Sequence, residues 1–239
     1  MDIRSSKAGL TKNYFWYKSK LDLIQFLFDK TNPQGINPQE QKILNLGVGT
    51  GDDLSLLKKY GKIFCIDTDK KAIDALAPGD CFEKKISSAC TIGYPDNYFD
   101  MVAALDVLEY IEDDALAAKE ICRVLKPGGF FVLTLPALPL LYSAHDRYLG
   151  HYRRYTVGRV KAILSSMHCL KIGYWMFLLF LPMAVTKLMN KKGSRIVFMR
   201  MPAMINNILY SVCSLENFLI RHNFPLPIGT TIYGIYQKA

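Results

Sequence analysis

Short apolar runs alternate with helical stretches through the first 135 residues, and this alternation limits the fold more than any other feature. Strands that alternate with helices form βαβ units, which build a parallel sheet with helices on both faces. The strands are predicted at KILNL (42–46), KIFCID (62–67), 81–86, FDMVAAL (99–105) and GFFVLTL (129–135), and the helices at 52–60, 69–77 and 112–125.

The first predicted strand ends in a glycine-rich turn, GVGTG (47–51). Glycine lacks a Cβ, so this backbone can approach a ligand closely. A dinucleotide fingerprint requires glycine where Asp52 stands, and a P-loop requires Lys-Ser/Thr where the chain has Asp52-Asp53. Two carboxylates at a helix start repel phosphate, which disfavours a nucleotide held by its phosphates. We interpret both aspartates as helix-start residues.

A ligand with an adenosine, a cationic amino group and one carboxylate fits this turn better, and S-adenosylmethionine has these groups. Asp67 ends the second predicted strand, twenty residues after Gly47. A carboxylate at that position can accept hydrogen bonds from both hydroxyls of a ribose.

Four motifs make the chain resemble the class I S-adenosylmethionine-dependent methyltransferases, in particular their small-molecule branch (type 11/12-like). The resemblance covers residues 41–136 and implies a doubly wound, Rossmann-like sheet of seven strands whose last strand is antiparallel. The segment GTTIYGIYQ (229–237) suits that last strand. The motifs are ILNLGVGTG, CIDTD, YPDNYFDMVAALDVLEYIEDD and LKPGGFFVL.

The same resemblance implies S-adenosylmethionine as the cofactor and assigns its binding residues. The glycines would line the methionine part, Asp67 the ribose, and Ser88 with Ala89 the adenine. Asn45 stands where the family usually has an acid, so it keeps a hydrogen bond to the ammonium group but loses the charge. The full set is Asn45, Gly47, Gly49, Gly51, Asp67, Thr68, Ser88, Ala89, Asp106 and Val107.

The charge of the chain is divided unevenly. Residues 1–146 carry 17 Lys and Arg against 20 Asp and Glu, a net charge of −3, whereas residues 147–239 carry 13 basic residues and one acid, Glu216, a net charge of +12. This asymmetry predicts an anionic partner such as a phosphate-bearing substrate or a lipid headgroup, unless the charge serves solubility alone. Nucleic acid is disfavoured, because the basic half is too apolar and no amino-methylation motif or RNA-binding module is present.

Residues 174–189 are almost continuously apolar, and three interpretations remain open: a buried core helix, a helix at a membrane interface, or a spanning helix. A spanning helix needs about 20 apolar residues, and Pro182 interrupts this run. Cations beside an apolar face suit an anionic leaflet. The flanking basic residues are Lys187, Lys191, Lys192, Arg195 and Arg200.

The loop after the fifth strand, residues 136–156, is where catalytic groups are expected, because such loops gather at the carboxyl ends of the strands. If the methyl acceptor is a hydroxyl, a general base assists the reaction. The candidate catalytic residues are His145 with its neighbour Asp146, and His151.

Arginine and aromatic side chains of the same loop form the predicted substrate site. Arg153 and Arg154 stay protonated, so they would bind phosphate or carboxylate, or alternatively pair with acids of the first half. Beyond the core, the chain also resembles a related branch of the family in its aromatic N-terminal helix and in the stretch HDRYLGHYRRYT. Members of that branch look like cell-envelope or lipid-associated methyltransferases. The predicted substrate-binding residues are Trp16, Tyr142, Tyr152, Arg153 and Arg154.

We divide the single domain into three regions: an N-terminal helical cap or lid (1–40), the cofactor-binding core (41–136) and a substrate-side region of basic, apolar helices with the final strand (137–239). The first region holds a predicted helix at 14–30, which either covers the site as a lid or simply docks on the core. Scattered cysteines without a C-x-x-C pair indicate neither a metal site nor a disulfide scaffold. With no secretory segment at the N-terminus, we expect a cytoplasmic protein, peripheral at the inner face of the membrane.

The sequence therefore predicts a methyltransferase that acts on an oxygen or nitrogen of an anionic acceptor at the membrane surface. That acceptor would be a small molecule, a glycan precursor or a lipid-linked molecule. Two alternatives remain. One is a quinone-precursor O-methyltransferase, and the other is a non-catalytic binding or scaffold protein of the same fold, which the amide at Asn45 motivates.

Overall fold

The computed structural model describes residues 13–31, 37–189 and 202–239. Residues 1–12, which belong to the predicted N-terminal cap, lie outside this part. So do Lys191, Lys192, Arg195 and Arg200, the predicted basic flank of the apolar run. The strands are β1 (Lys42–Leu46), β2 (Lys62–Asp67), β3 (Glu83–Ile86), β4 (Phe99–Leu105), β5 (Leu125–Pro136), β6 (Met167–Trp175) and β7 (Thr231–Lys238). The helices are α1 (Phe15–Thr31), α2 (Leu54–Leu57), α3 (Lys70–Asp74), α4 (Asp114–Val124), α5 (Ala144–Leu149), α6 (Val157–Ile163), α7 (Phe180–Met189) and α8 (Ala203–Arg221).

The seven strands form one sheet in the order β3-β2-β1-β4-β5-β7-β6. The pairs from β3 to β5 are parallel, and β7 is antiparallel to both β5 and β6. Apolar runs such as KILNL become central parallel strands because both of their faces are buried. The predicted fold class is confirmed, including the antiparallel last strand.

Helices cover both faces of the sheet, and each face has its own apolar core. One core joins α1 and α2 to the inner side of α8, with Leu27 and Ile220 fully buried in it. The other joins α4 and α6 to the opposite face, around Ile121 and Tyr155. The crossovers that join β1, β2 and β3 thus lie on one face, while α4 and α6 lie on the other, as a doubly wound sheet requires.

The structure corrects several predicted boundaries. The helix predicted at 52–60 is the single turn α2, and the stretch 136–156, predicted as a loop, contains α5. Ser143 and Asp146 form a capping box that starts α5, and Gly150 in the left-handed conformation ends it. The longest helix, α8, was expected only as part of a helical region without bounds.

The apolar run 174–189 does not form one element. Trp175 ends β6 fully buried, and α7 begins at Phe180 with Leu181 exposed to solvent. Among the described residues, no helix is long and apolar enough to cross a bilayer. The first turns of α7 lie at the protein surface, with Leu181 and Val185 exposed.

Tyr155 anchors the loop after β5 to the core. Its buried hydroxyl donates to Asp114 Oδ2 at 2.9 Å and lies 3.0 Å from the carbonyl oxygen of Leu108. We expect Tyr155→Phe to lower the free energy of unfolding by about 1–2 kcal/mol, because buried acceptors lose their donor. Tyr152→Phe is the matched control, since Tyr152 is 53% exposed. Equal urea midpoints for both variants would contradict the anchoring role.

Candidate functional site

The glycine turn after β1 adopts a backbone that other residues rarely reach. Gly47, Gly49 and Gly51 have φ angles of +72°, +54° and +69°. A Cβ at Gly47 would lie 2.7 Å from Cγ2 of Val107, which follows β4. The turn is thus shaped by the close approach of the β4 end to the β1 end. Val107 lies beside Gly47, and its contact with a cofactor stays a prediction.

Asp67 lies beside this turn at the end of β2. Its Oδ2 accepts from the backbone N–H of Gly49 at 3.2 Å, and its Oδ1 accepts from that of Asp69 at 2.8 Å. Each carboxylate oxygen retains capacity for a further donor. The structure therefore brings together the two features on which the sequence prediction rested, the glycine turn and the carboxylate.

The side-chain amide of Asn45 is buried without a hydrogen-bond partner among the described residues. Its side chain is fully buried on β1, and within the described part of the chain neither amide atom has a hydrogen-bond partner. Leaving a buried polar group unpaired costs about 1–3 kcal/mol. A polar ligand group at the carboxyl edge of the sheet would satisfy it, so the residues present fit a cofactor with an amino or carboxylate group.

Asp106, after β4, is held from two sides. Its Oδ1 accepts from the Thr134 hydroxyl at 2.9 Å, and its Oδ2 accepts from the Lys20 ammonium of α1. Burial alone would raise the pKa of Asp106, but the charge and hydrogen bond of Lys20 hold it below the usual value. Asp106 thus lies between β5 and α1, its role in closing the cofactor site stays a prediction, and Lys20 is a functional candidate that sequence analysis missed.

A shallow recess, part of it open to solvent, lies between α1 and the carboxyl edge of the sheet. Trp16, predicted to bind substrate, forms part of its wall. The N-terminal helix therefore docks on the core and forms one wall of the recess, and its role as a lid stays a prediction. The lining residues are Trp16, Tyr17, Lys20, Leu21, Ile24, Asp53 and Leu105.

Asp53 and Tyr17 also line this recess, and the sequence analysis gave neither of them a role in ligand binding. Asp53 occupies the helix-start position without a capping bond, and its buried Oδ1 lacks a partner among the described residues. Burial raises the pKa of Asp53, and burial with the nearby aspartates raises the pKa of Tyr17. The pattern YFWYK (14–18) indicates an apolar helix face. Which polar side chains of that helix point toward the recess depends on how α1 packs on the core.

The predicted adenine-side residues follow β3. Ser88 Oγ accepts from the backbone N–H of Cys90 at 3.1 Å, and Ala89 is buried. Thr68 is exposed directly after Asp67. Because β2 and β3 are parallel, both segments lie at the same edge of the sheet as the glycine turn. Their contacts with a cofactor stay a prediction.

The loop after β5 is organised around the buried carboxylate of Asp146. Its Oδ2 accepts from the N–H and hydroxyl of Ser143, and its Oδ1 accepts from Arg154 Nε at 2.8 Å. His151 Nδ1 lies 3.3 Å from the same Oδ1, and His151 Nε2 is buried with no partner within the described residues. The sequence analysis paired Asp146 with His145, whereas the contact described here joins Asp146 to His151. His145 is half-buried on α5, and the catalytic roles stay predictions.

Both candidate arginines have internal partners. Arg154 is buried and also donates to the carbonyl of Ala137, while Arg153 pairs with Asp114 at 3.0 Å. The structure therefore gives them the ion-pair role that the sequence left as the alternative to anion binding. Tyr142 donates to the carbonyl of His151.

Glu109 connects the Asp106 edge to this loop and was not singled out in the sequence. Its backbone carbonyl accepts from the N–H of Tyr152 at 2.7 Å, and its buried Oε2 has no partner in the described residues. Burial and the neighbouring Asp106 raise the pKa of Glu109 well above its usual value, which favours a neutral acid.

Comparison with known proteins finds similarity over part of this chain. Residues 44–133 match a family model described as a methyltransferase domain. The chain is 31% identical over 121 residues to the ubiquinone/menaquinone biosynthesis C-methyltransferase UbiE of Francisella philomiragia, covering 45% of this chain and 48% of that protein. It is 32% identical over 102 residues to a 2-methyl-6-phytyl-1,4-hydroquinone methyltransferase of Synechocystis, covering 40% of this chain and 32% of that protein.

The chain spans about half or less of the length of these curated relatives. The similarity in fold extends further. A SAM-dependent methyltransferase from Archaeoglobus fulgidus superposes with a TM-score of 0.58 at 17% identity, covering 92% of this chain and 94% of that one. With the glycine turn, Asp67 and the seven-stranded sheet, these findings support the resemblance seen in the sequence: residues 44–133 match a methyltransferase domain, and the chain shares the fold of S-adenosylmethionine-dependent methyltransferases.

Proposed function

We propose that this protein transfers a methyl group from S-adenosylmethionine to an oxygen or nitrogen of an anionic acceptor at a membrane surface. The acceptor is a small molecule, a glycan precursor or a lipid-linked molecule. The observation that carries the cofactor part is the unpaired, buried amide of Asn45 beside the glycine turn that Asp67 braces. The acceptor part rests on the basic second half of the chain.

The charges around the recess complement a zwitterionic cofactor. Lys20 is the one cation among the described residues that line it, and it suits a carboxylate. Asn45 offers an acceptor for the ammonium group, and Asp67 offers acceptors for ribose hydroxyls. Bound S-adenosylmethionine supplies an electrophilic methyl group whose leaving thioether needs no acid, so the chain mainly aligns the acceptor and excludes water.

His151 is the proton acceptor for a hydroxyl substrate. Asp146 orients its Nδ1 side, and Nε2 is the ring nitrogen left without a partner among the described residues. The ring lies edge-on to Tyr110 with centroids 4.6 Å apart, which fixes its plane. Positioned bases of this kind contribute about 10²- to 10⁴-fold to rate.

A second candidate is a quinone-precursor methyltransferase. One curated relative is named a ubiquinone/menaquinone biosynthesis C-methyltransferase and another a hydroquinone methyltransferase. These names support a quinone-type acceptor but not the methylation of oxygen that the sequence analysis expected. The third, a non-catalytic scaffold, rests on the missing charge at Asn45. Transfer of a labelled methyl group separates the three candidates. Labelling of phosphorylated sugars or envelope lipids supports the first, labelling of quinone precursors supports the second, and no labelling of any acceptor supports the scaffold.

The first experiment is calorimetric titration with S-adenosylmethionine and its demethylated product. We expect micromolar binding, about −8 kcal/mol. Absence of binding by demonstrably folded protein would contradict the proposal and favour the scaffold.

Replacing Asp67 by Ala tests the ribose assignment. We expect S-adenosylmethionine to bind about 10- to 100-fold more weakly, since hydrogen bonds to a charged acceptor contribute roughly 1.5–3 kcal/mol. Asp74→Ala makes the same charge change at an exposed position of α3 and should bind normally. Normal titration of Asp67→Ala would overturn the assignment.

Lys20→Met tests the cation that α1 presents. We expect about tenfold weaker cofactor binding, because the carboxylate loses its partner. Lys18→Met, two residues away and exposed, is the control. Equal affinity of the two variants, measured by calorimetry, would remove Lys20 from the site.

His151→Gln tests the proposed base. With a hydroxyl acceptor we expect kcat to fall about 100-fold or more while cofactor affinity is kept. His168→Gln, on an exposed position of β6, should retain kcat. If His151→Gln keeps its turnover, the base assignment is wrong.

A further inference from the structure

The outer face of α8 is an uncovered apolar stripe. Met204, Ile208, Leu215 and Phe218 recur at helical spacing, and each is more than half exposed. The opposite face is buried against the core through residues that include Cys213 and Ile220. Within residues 13–31, 37–189 and 202–239, the helix is thus covered on one side only, and its other side presents large apolar side chains.

Residues 177–185, which lead into α7 and form its first turns, extend this apolar surface and are called the α7 segment below. Leu178 and Leu181 are exposed, and so is Val185 one turn further along α7. The carboxylate of Glu216 on α8 accepts from the backbone N–H groups of Phe177 at 2.9 Å and Leu178 at 3.1 Å. These bonds hold the start of the α7 segment directly against α8.

The charge of this half identifies the occupant. Glu216 is its single acidic residue, and that carboxylate is fully buried and used by the two N–H groups. No acidic side chain of residues 147–239 therefore reaches the surface, while thirteen Lys and Arg belong to the same stretch. Four of them, Lys191, Lys192, Arg195 and Arg200, occur in the sequence between α7 and α8.

We propose that α8 and the α7 segment dock on an anionic lipid leaflet, with the apolar stripe at the boundary of headgroups and acyl chains. A helix of 19 residues is about 28 Å long and lies in the plane of the interface. A second copy of this chain fits less well, because it would bring together two chain segments that each carry 13 basic residues and a single acid. This inference specifies the membrane-surface setting of the proposed function.

Docking places the recess close to the lipid. The inner face of α8 bonds to α1 through Tyr210 to Asp22 at 2.9 Å and Asn217 to the Ser19 carbonyl at 2.9 Å. Packed helices lie about 8–10 Å apart, and α1 carries Trp16 and Lys20 at the recess. A lipid-linked acceptor can therefore reach the site from the leaflet to which α8 is bound.

The test is flotation of the full chain with vesicles of phosphatidylcholine, alone or with about one third phosphatidylglycerol. We expect binding to the anionic vesicles, at least about tenfold weaker binding to neutral ones, and weakening by salt. The triple variant Ile208→Ser, Leu215→Ser, Phe218→Ser should lose about tenfold or more. The control Phe82→Ser, Ile86→Ser, Leu116→Ser removes comparable exposed apolar side chains elsewhere and should bind as the wild type does.

Calorimetry with S-adenosylmethionine on the same preparations separates this inference from the proposed function. Unchanged cofactor binding with no vesicle binding would overturn the docking proposal alone, and vesicle binding without cofactor binding would support it while the function fails. Equal vesicle binding of the two triple variants would overturn it. A wild-type dimer that dissociates in the α8 triple variant but not in the control variant would also overturn it, because the stripe would then be an interface between two copies of the chain.

Discussion

The ion pair between Lys20 and Asp106 ties the N-terminal helix to the carboxyl edge of the sheet. Lys20 is almost fully buried, so its charge is stable only with a carboxylate beside it. Asp106 in turn is fixed by Thr134 of β5. The ion pair therefore fixes the part of α1 that carries Trp16 and Tyr17 against the carboxyl edge of the sheet, while buried apolar residues and the bonds to α8 hold the rest of the helix.

Around that pair, the edge of the sheet keeps polar groups that the fold itself does not satisfy. Asn45, Asp53 and Glu109 each bury an oxygen without a partner among the described residues. Burial of this kind costs stability, and native interiors contain few such groups. Their concentration beside a glycine turn is what distinguishes a ligand site from an ordinary turn of an α/β fold.

The loop after β5 shows how chemically suggestive residues divide into different roles. The stretch HDRYLGHYRRYT suggested bases and anion-binding arginines together. In the structure, Asp146 collects Ser143, His151 and Arg154 around one buried carboxylate. The arginines are thereby used in building the loop, and His151 remains with an available ring nitrogen among the described residues. Sequence could not separate these roles, because a guanidinium looks alike whether it binds a ligand or an internal acid.

The sequence by itself determined the strands β1, β2 and β4 to the residue, the glycine turn and the place of Asp67. These depend on local apolar periodicity and on fixed offsets along the chain. It could not determine that Lys20 meets Asp106, 86 residues away, or that Glu216 captures the start of the α7 segment 39 residues before it. Those contacts exist only after helices from both ends of the chain dock on one face of the sheet. Which polar side chains are buried, and which apolar ones stay exposed, is decided by that docking.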